Sequence, residues 1–324
     1  MNILITGGAG YIGSHVVKAL RSSQHQLTIY DNLSTGHAKA VRNGELVEGN
    51  LEDLSKLDAL FTQKKFDAVI HFAGSIIVPE SVTEPLKYFL NNTANSLNLM
   101  NLCKKHKVNK FLFSSTAAVY GMPENGLCSE DSALAPINPY GDSKLMTERM
   151  LKDYSAASDF KYVALRYFNV AGADPDGEMG QSFPAATHLI KVACEAACGK
   201  RAELGLYGTD YATPDGSCVR DYIHVSDLAD AHVKALAYLE KGGDSQVLNC
   251  GYGHGFSVKE VIARVKAVTD VNFKVTELPR RAGDPDSLTA KAEKIQKILG
   301  WKPQYDDLDF IIKTAYHWEK NKTF

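Results

Sequence analysis

The chain has 324 residues, a formal net charge of -2 at pH 7, and 44% hydrophobic against 23% charged residues. That length holds one large α/β domain or two modest ones, and the balanced charge leaves no basic footprint for nucleic acid. No run reaches the roughly 18 apolar residues of a membrane span, and "MNILITGG" enters a strand without a leader pattern, so a cytoplasmic protein bound to neither nucleic acid nor membrane is expected. Six cysteines are scattered. Cys194 and Cys198 lie one helical turn apart without a second Cys or His pair at zinc spacing, so no metal site is expected. The thiols read as buried or half-buried, in a reducing compartment.

Short apolar runs alternate with helical patterns through the first half. Ile3-Leu4-Ile5 reads as a strand, followed by a glycine turn and a helix carrying Ile12, Val16, Val17 and Leu20. "LTIYD", "FDAVIHFAG" and "KFLFSST" are further strands, the last two separated by a helix with Leu97, Leu99, Met100 and Leu102. A helix holding Leu145, Met146 and Met150 precedes the strand "KYVALRYFN". Continuous apolar strands alternating with helices imply a parallel sheet covered on both faces, an α/β fold. After about residue 170 the pattern loosens: "AGADPDGEMGQSFP" is a loop signal. A helix near Ala185–Cys198, a strand around "LGLYG", the loop "TDYATPDGS" and a long helix through "DLADAHVKALAYL" follow. This half reads as a smaller α/β portion carrying substrate contacts.

"ITGGAGYIGSH" puts Gly7, Gly10 and Gly13 directly between the first strand and first helix. Glycines there permit a tight turn, close approach of backbone to a pyrophosphate, and close helix–sheet packing. The helix start then offers N–H groups and partial positive charge to the phosphates. Asp31 ends the second strand, where a carboxylate accepts hydrogen bonds from a ribose diol and repels a 2′-phosphate. NAD is therefore expected over NADP, in a Rossmann-type doubly wound sheet.

In "NPYGDSK", Pro139 suits a helix start and places Tyr140 and Lys144 on one helix face at i, i+4. An ammonium near a phenol favours the phenolate, and a tyrosine lowered toward neutrality can take and return a hydroxyl proton. "FSSTAAVYG" lies just past a strand end, where open parallel sheets place ligands, and its Thr116 hydroxyl can bond the tyrosine or the reacting group. An ordinary helix pair is the bland alternative for Tyr140 and Lys144 taken alone; the glycine loop and Thr116 turn the reading toward catalysis.

With "TGGAGYIG", "HFAG", "FSSTAAVYG", "PYGDSK", "LRYFNVAGAD" and "VRDYIHVSDLADAH", the chain resembles the extended short-chain dehydrogenase/reductase family. The likeness extends to "RRAGDPDSLTA" and "LGWKP", and "LRYFNVAGA" with "VRDYIHV" points to the epimerase branch. The resemblance implies an isomerase of galactose and nucleotide-sugar metabolism that interconverts UDP-glucose and UDP-galactose without net oxidation. Bound NAD+ would accept hydride from C4 while Tyr140 removes the 4-hydroxyl proton, and both would return to the opposite face of a transient 4-keto sugar. Lys144 would hold the nicotinamide ribose and Thr116 would aid proton transfer. By position, Gly7, Gly10, Tyr11, Ile12, Gly13, Asp31, Asn32, Asn50, Leu51, Phe72, Ala73, Gly74, Asn91, Ser114, Tyr140, Lys144 and Tyr167 would line the NAD site. Thr116, Tyr140, Phe168, Asn169, Leu189, Tyr207, Arg220, Arg281, Asp284 and Leu288 would hold the UDP-sugar. The implied organisation is an NAD-binding domain over 1–172, a UDP-sugar-binding domain over 173–324, and a homodimer through paired helices of the cofactor half.

The chain also departs from the family pattern. Thr116 stands where many members have serine, Ile76 where some have a lysine near the cofactor, and Asn50 where an aspartate usually meets the adenine amino group. Leu288 replaces a tyrosine beside the sugar, which leaves acceptance of UDP-N-acetylhexosamines undecided. Lys191 replaces a usual proline, for which the sequence offers no account. Two rivals remain: a nucleotide-sugar dehydratase or UDP-glucuronate enzyme, and a non-catalytic NAD-binding scaffold. Ala117 and Ala118 after Thr116 supply no carboxylate for elimination, and a scaffold needs no Tyr140, Lys144 and Thr116 together. Arg220 beside Asp221 admits an alternative reading as a surface ion pair.

Overall fold

A computed structural model describes residues 1–123, 125–281 and 284–324. Ile3, Leu4 and Ile5 are fully buried in β1 (Asn2–Thr6), as a run apolar on both faces requires. The glycine turn leads into α1 (Tyr11–Ala19), then β2 (Gln26–Asp31), β3 (Glu45–Glu48), α2 (Leu54–Lys64) and β4 (Ala68–His71). Next come α3 (Val78–Thr83), α4 (Pro85–Tyr88), a π-helical stretch (Phe89–Ala94), α5 (Asn95–Lys105) and β5 (Lys110–Ser114). A short β6 (Leu127–Cys128) precedes α6 (Pro139–Ala156) and β7 (Lys161–Tyr167). Beyond lie β8 (Asn169–Ala171), α7 (Leu189–Ala197), β9 (Leu204–Tyr207), β10 (Val219–Arg220), β11 (Tyr222–His224) and α8 (Val225–Glu240). The chain finishes with β12 (Gln246–Cys250), β13 (Phe256–Ser257), α9 (Val258–Thr269), β14 (Val275–Leu278), β15 (Ser287–Ala290), α10 (Glu293–Leu299) and α11 (Leu308–Asn321).

The main sheet has seven strands in the order β12-β7-β5-β4-β1-β2-β3. Each pairing from β7 to β3 is parallel, with Ile3 opposite Leu27 on one side and Ala68 on the other. The chain travels outward from β1 to β3, then returns to lay β4 on the other flank of β1. That reversal opens a crevice at the carboxyl ends of β1 and β4, the place where doubly wound sheets bind ligands. The Rossmann-type expectation holds. One face of the sheet packs Phe61, Phe111, Phe113, Phe160, Leu99 and Leu151 into a buried cluster, each contributing roughly 1.5–3 kcal/mol on burial.

Chain contacts form two compact units. The first comprises 1–119, 136–166 and 229–248, and the second 120–135, 167–228 and 249–324. The grouping differs from a single cut at residue 172, because most of α8 and the start of β12 return to the main-sheet unit. The second unit holds a mixed four-stranded sheet, β13-β10-β15-β6, and two strand pairs, β11-β8 and β14-β9. Its core lies among α7, α9 and α11, where Ile190, Cys194, Val261, Val265, Ile311 and Ile312 are buried.

Lys191 finds its explanation here. Its ammonium, within a side chain only 5% exposed, meets Glu195 one turn on at 3.0 Å and also bonds Glu319 of α11. Lys200 and Lys322 reach the same Glu319 at 2.7 and 3.1 Å. A buried cation is tolerable when paired in this way; a proline would forgo the clamp between α7 and α11. The cavity beside it, lined by His188, Lys191 and Trp318, is about 10 Å³ and fits a water rather than a sugar. The six cysteines are free, Cys198 half-buried and the others buried. Among the described residues no helix is long and apolar enough to cross a membrane.

Candidate active site

The turn after β1 is built of contacts that only glycine permits. Gly7 has φ +72°, and a Cβ there would stand 2.5 Å from the Ala73 amide nitrogen. One on Gly13 would lie 2.3 Å from the Gly7 carbonyl oxygen. Gly10 differs: a Cβ would meet only the Gly7 oxygen, at 3.3 Å. Gly10 is the N-cap of α1, a helix start with no side-chain cap and no acidic residue in its first turn. A pyrophosphate fits a helix start arranged in this way.

Asp31 is 7% exposed at the end of β2. Its Oδ2 accepts from Ala9 N at 2.9 Å and its Oδ1 from Leu33 N at 2.8 Å. Burial raises its pKa while those two amides pull it down. Each carboxylate oxygen keeps a further lone pair, so acceptance from ribose hydroxyls fits. Asn32 and Asn50 are exposed, whereas Leu51 is buried. Asn50 Oδ1 accepts from Glu52 N at 3.3 Å, and Ile76, in place of a lysine, is 43% exposed.

α6 starts as the sequence indicates, with Asn138 capping Gly141 N at 2.9 Å and Pro139 in the first turn. Gly141 lets the helix start approach the segment after β5: a Cβ would lie 2.7 Å from the Ala118 oxygen. Tyr140, Lys144 and Thr116 thereby come together, 8%, 3% and 7% exposed. Lys144 Nζ donates to the Ser114 carbonyl at 3.0 Å, lies 5.0 Å from the Phe113 ring centroid, and would stand 3.4 Å from a Cβ on Gly74. The carboxyl ends of β4 and β5 thus meet at the ammonium.

The electrostatics refine the sequence reading. Lys144 and a bound oxidised nicotinamide were together expected to lower the tyrosine pKa; in the chain by itself burial dominates and raises it, with the neighbouring Thr116 hydroxyl pulling the other way. Lys144 is itself pushed down to about 8 by desolvation. A phenol in this setting needs added positive charge before it acts as a base.

Sequence reasoning passed over Asn92. It is 1% exposed in the π-helical stretch; its Oδ1 accepts from Ser75 N at 2.7 Å, and its Nδ2 donates to Ser75 O and Ser143 Oγ, both at 3.0 Å. It ties the loop after β4 to α6, one residue before Lys144. The adjacent Asn91, singled out from sequence, donates to Ser75 Oγ at 2.9 Å. The only local signal was the pair itself, although π-turns recur at functional sites. Phe72 packs on His232 at 4.9 Å between ring centroids.

In the second unit, Arg220, Arg281, Asp284, Tyr207 and Leu288 assemble. Asp284 lies 3.7 Å from Arg220 and 2.9 Å from Arg281, whose guanidinium sits 4.8 Å over the Tyr207 ring. Leu288 of β15 is in register with Arg220 of β10. The surface-pair alternative for Arg220 and Asp221 does not hold, because Asp221 is fully buried and accepts instead from Tyr252 N, Gly253 N and Ala290 N. Tyr167, Asn169 and Leu189 are half-buried and Phe168 is buried. Two guanidinium groups at one carboxylate are the kind of donor set that a diphosphate would fit.

A family model described as the NAD dependent epimerase/dehydratase family matches residues 3–251. A UDP-glucose 4-epimerase of Azospirillum brasilense is 54% identical over 320 residues, covering 98% of this chain and 92% of that protein. The structure of a UDP-Glc/GlcNAc 4-epimerase from Campylobacter jejuni superposes with a TM-score of 0.87 at 53% identity, covering 98% of this chain and 99% of that one. That of UDP-glucose 4-epimerase from Bifidobacterium longum, in complex with NAD+ and UDP, gives 0.94 at 35% identity, with 98% of each chain covered.

Proposed function

The chain belongs to the NAD dependent epimerase/dehydratase family, and on that premise we propose that Tyr140, Lys144 and Thr116 invert C4 of a UDP-hexose. It is an NAD-dependent isomerase, a UDP-glucose 4-epimerase interconverting UDP-glucose and UDP-galactose through a transient 4-keto sugar. One observation carries the assignment of residues: a buried phenol, an ammonium and a hydroxyl gathered at the carboxyl ends of β4 and β5.

When bound, NAD+ would supply a reversible hydride acceptor and a positive charge. The start of α1, opened by Gly7 and Gly10, would hold the pyrophosphate, and Asp31 would accept from the adenosine ribose hydroxyls. Asn91, Phe72, Ala73, Gly74 and Ser114 complete the surroundings of the cofactor. Tyr140 Oη takes the 4-hydroxyl proton and later returns it. Thr116 shares a hydrogen bond with that oxygen or with the sugar hydroxyl. Lys144 orients the nicotinamide ribose and adds its charge. Arg220 and Arg281 hold the diphosphate, while Tyr207, Asp284, Phe168, Asn169 and Leu189 position the nucleotide and sugar. The neutral Ala117 and Ala118 lend no acid for dehydration. On this reading the main-sheet unit holds NAD and the other holds UDP-sugar, the division by role expected on either side of residue 172.

A homodimer belongs to the same proposal. Leu86, Leu90 and Leu97 are 80%, 51% and 45% exposed on the stretch from α4 to α5, and a second copy gives such side chains cover. Six free cysteines suit a cytoplasmic protein. Incubation of the purified protein with UDP-galactose tests the activity: UDP-glucose should form to equilibrium, and a 4-keto or acid product accumulating with NADH would favour the rival enzymes.

A further inference from the structure

Behind Thr116 lies a buried charged group that the reaction as described does not use. Ser115, Glu148 and Arg166 are 0%, 4% and 3% exposed. Glu148 sits one turn beyond Lys144 and two beyond Tyr140, on the same face of α6. Its Oε1 accepts from Ser115 Oγ at 2.5 Å and from Arg166 Nε at 3.0 Å; its Oε2 accepts from Arg166 NH2 at 2.6 Å. Ser115 is the residue before Thr116, and Arg166 comes from the carboxyl end of β7. Ser115 N also donates to Leu165 O at 3.0 Å, extending the β5–β7 ladder past the end of β5.

Simple stability is a weak reason to keep such a group. A buried ion pair rarely outperforms well-packed apolar residues of the same volume, whereas it does fix a register. Here the Glu148 carboxylate of α6 is joined by directional bonds to the end of β5 and to β7, and two of these three elements carry the reacting groups. α6 carries Tyr140 and Lys144, and the end of β5 carries Thr116. A helix free to slide or turn by a fraction of a residue would part the phenol from the hydroxyl, and small misplacements of reacting groups are costly.

We propose that Ser115, Glu148 and Arg166 are positioning residues for the reaction: the Glu148 carboxylate locks α6 to the end of β5 and thereby sets the Thr116 hydroxyl against the Tyr140 phenol. This rests on the epimerase reading for its consequence in turnover, but its geometric content is separate. The other groups around the phenol are Lys144 on its own helix and Tyr88 of α4, edge-on at 6.4 Å, with Glu80 bonded to Tyr88 at 2.8 Å. Ser115 is flanked by Thr116, whose hydroxyl bonds the phenol, and by Ser114, whose carbonyl accepts from Lys144 at 3.0 Å, so a change made at Ser115 reaches the phenol through its two chain neighbours.

The test uses Ser115→Ala, which removes one hydroxyl and leaves the Glu148–Arg166 pair intact, beside Glu148→Gln. Two readouts are taken. The first is steady-state turnover of UDP-galactose across pH. The second is the phenol's own titration, followed as tyrosinate absorbance and isolated by subtracting the matched Tyr140→Phe protein, a measurement that needs no turnover. Ser115→Ala should lower kcat about tenfold and Glu148→Gln up to about a hundredfold, with KM unchanged. The acid limb of kcat and the tyrosinate titration should both move to higher pH as the Thr116 bond is lost. If Glu148→Gln fails to fold, Ser115→Ala alone decides. A folded Ser115→Ala with wild-type kcat and an unmoved phenol titration overturns the proposal, even if its melting temperature falls. A wild type that does not turn over UDP-galactose would remove the epimerase reading instead, and the titration would still judge the triad.

Discussion

The two compact units handle charge in opposite ways. In the main-sheet unit Asp31, Lys144 and Tyr140 are each less than a tenth exposed, their pKa values moved chiefly by desolvation. In the other, the Arg220, Arg281 and Asp284 side chains are 13%, 44% and 24% exposed, with Arg281 hydrogen-bonded to Asp284 at 2.9 Å and Arg220 farther from it at 3.7 Å. On the proposed roles, groups that would hold a dinucleotide and move protons benefit from a dry, fixed setting, where electrostatic effects are large. Groups that would capture and release a diphosphate on every turnover gain from some access to water, because a tight internal pair would compete with the ligand. The difference in burial is what those two proposed tasks call for.

Mutations should separate the two regimes. Tyr140→Phe should keep the fold and bound NAD but lose at least ~100-fold in turnover; wild-type-like kcat would exclude the phenol from the chemistry. Arg220→Met, by contrast, should raise KM for the UDP-sugar roughly tenfold to a hundredfold, the worth of a charge-assisted hydrogen bond. Its melting temperature should barely move, since the 3.7 Å pair it leaves is too long for a hydrogen bond and is worth ~0–1 kcal/mol. An Arg220→Met protein with unchanged KM and lower stability would reverse the contrast. Asp31→Ala should weaken NAD binding about tenfold, read by titrating cofactor into stripped protein; unchanged affinity would remove Asp31 from the site.

The smallest expected effect is on stability. Lys144 has its pKa lowered from 10.5 to about 8 by burial, so between those values the unfolded chain binds more protons than the folded one. Its charged form therefore destabilises the fold below about pH 8, and that cost is relieved as pH rises toward 10.5. Lys144→Met in NAD-free protein should melt a few degrees higher than wild type at pH 7, with the gap closing above pH 8, while turnover collapses. A lower melting temperature at pH 7 would show that the Ser114 bond outweighs the desolvation.

Local patterns were readable from sequence and long-range pairings were not. The glycine turn after β1, Asp31 at the end of β2 and the Tyr140–Lys144 spacing at the start of α6 are each confined to a few consecutive residues. β3 escaped notice because "ELVE" has only two apolar residues between charges, and the helix expected from Ala185 begins at Leu189. Lys191 made sense only once Glu319, far along the chain, was seen beside it. The same holds for Glu148, whose partners Ser115 and Arg166 lie 33 residues before and 18 after. For the tyrosine, spacing reveals a nearby cation but not how completely water is excluded, and in the chain by itself burial prevails and raises the pKa.

Isotope tracing follows the borrowed hydride most directly. UDP-galactose carrying deuterium at C4 should give UDP-glucose with the label retained at C4 and no accumulated reduced cofactor, since the same dinucleotide takes the atom and restores it. Loss of the label to solvent, or its lasting transfer to NAD, would contradict the account.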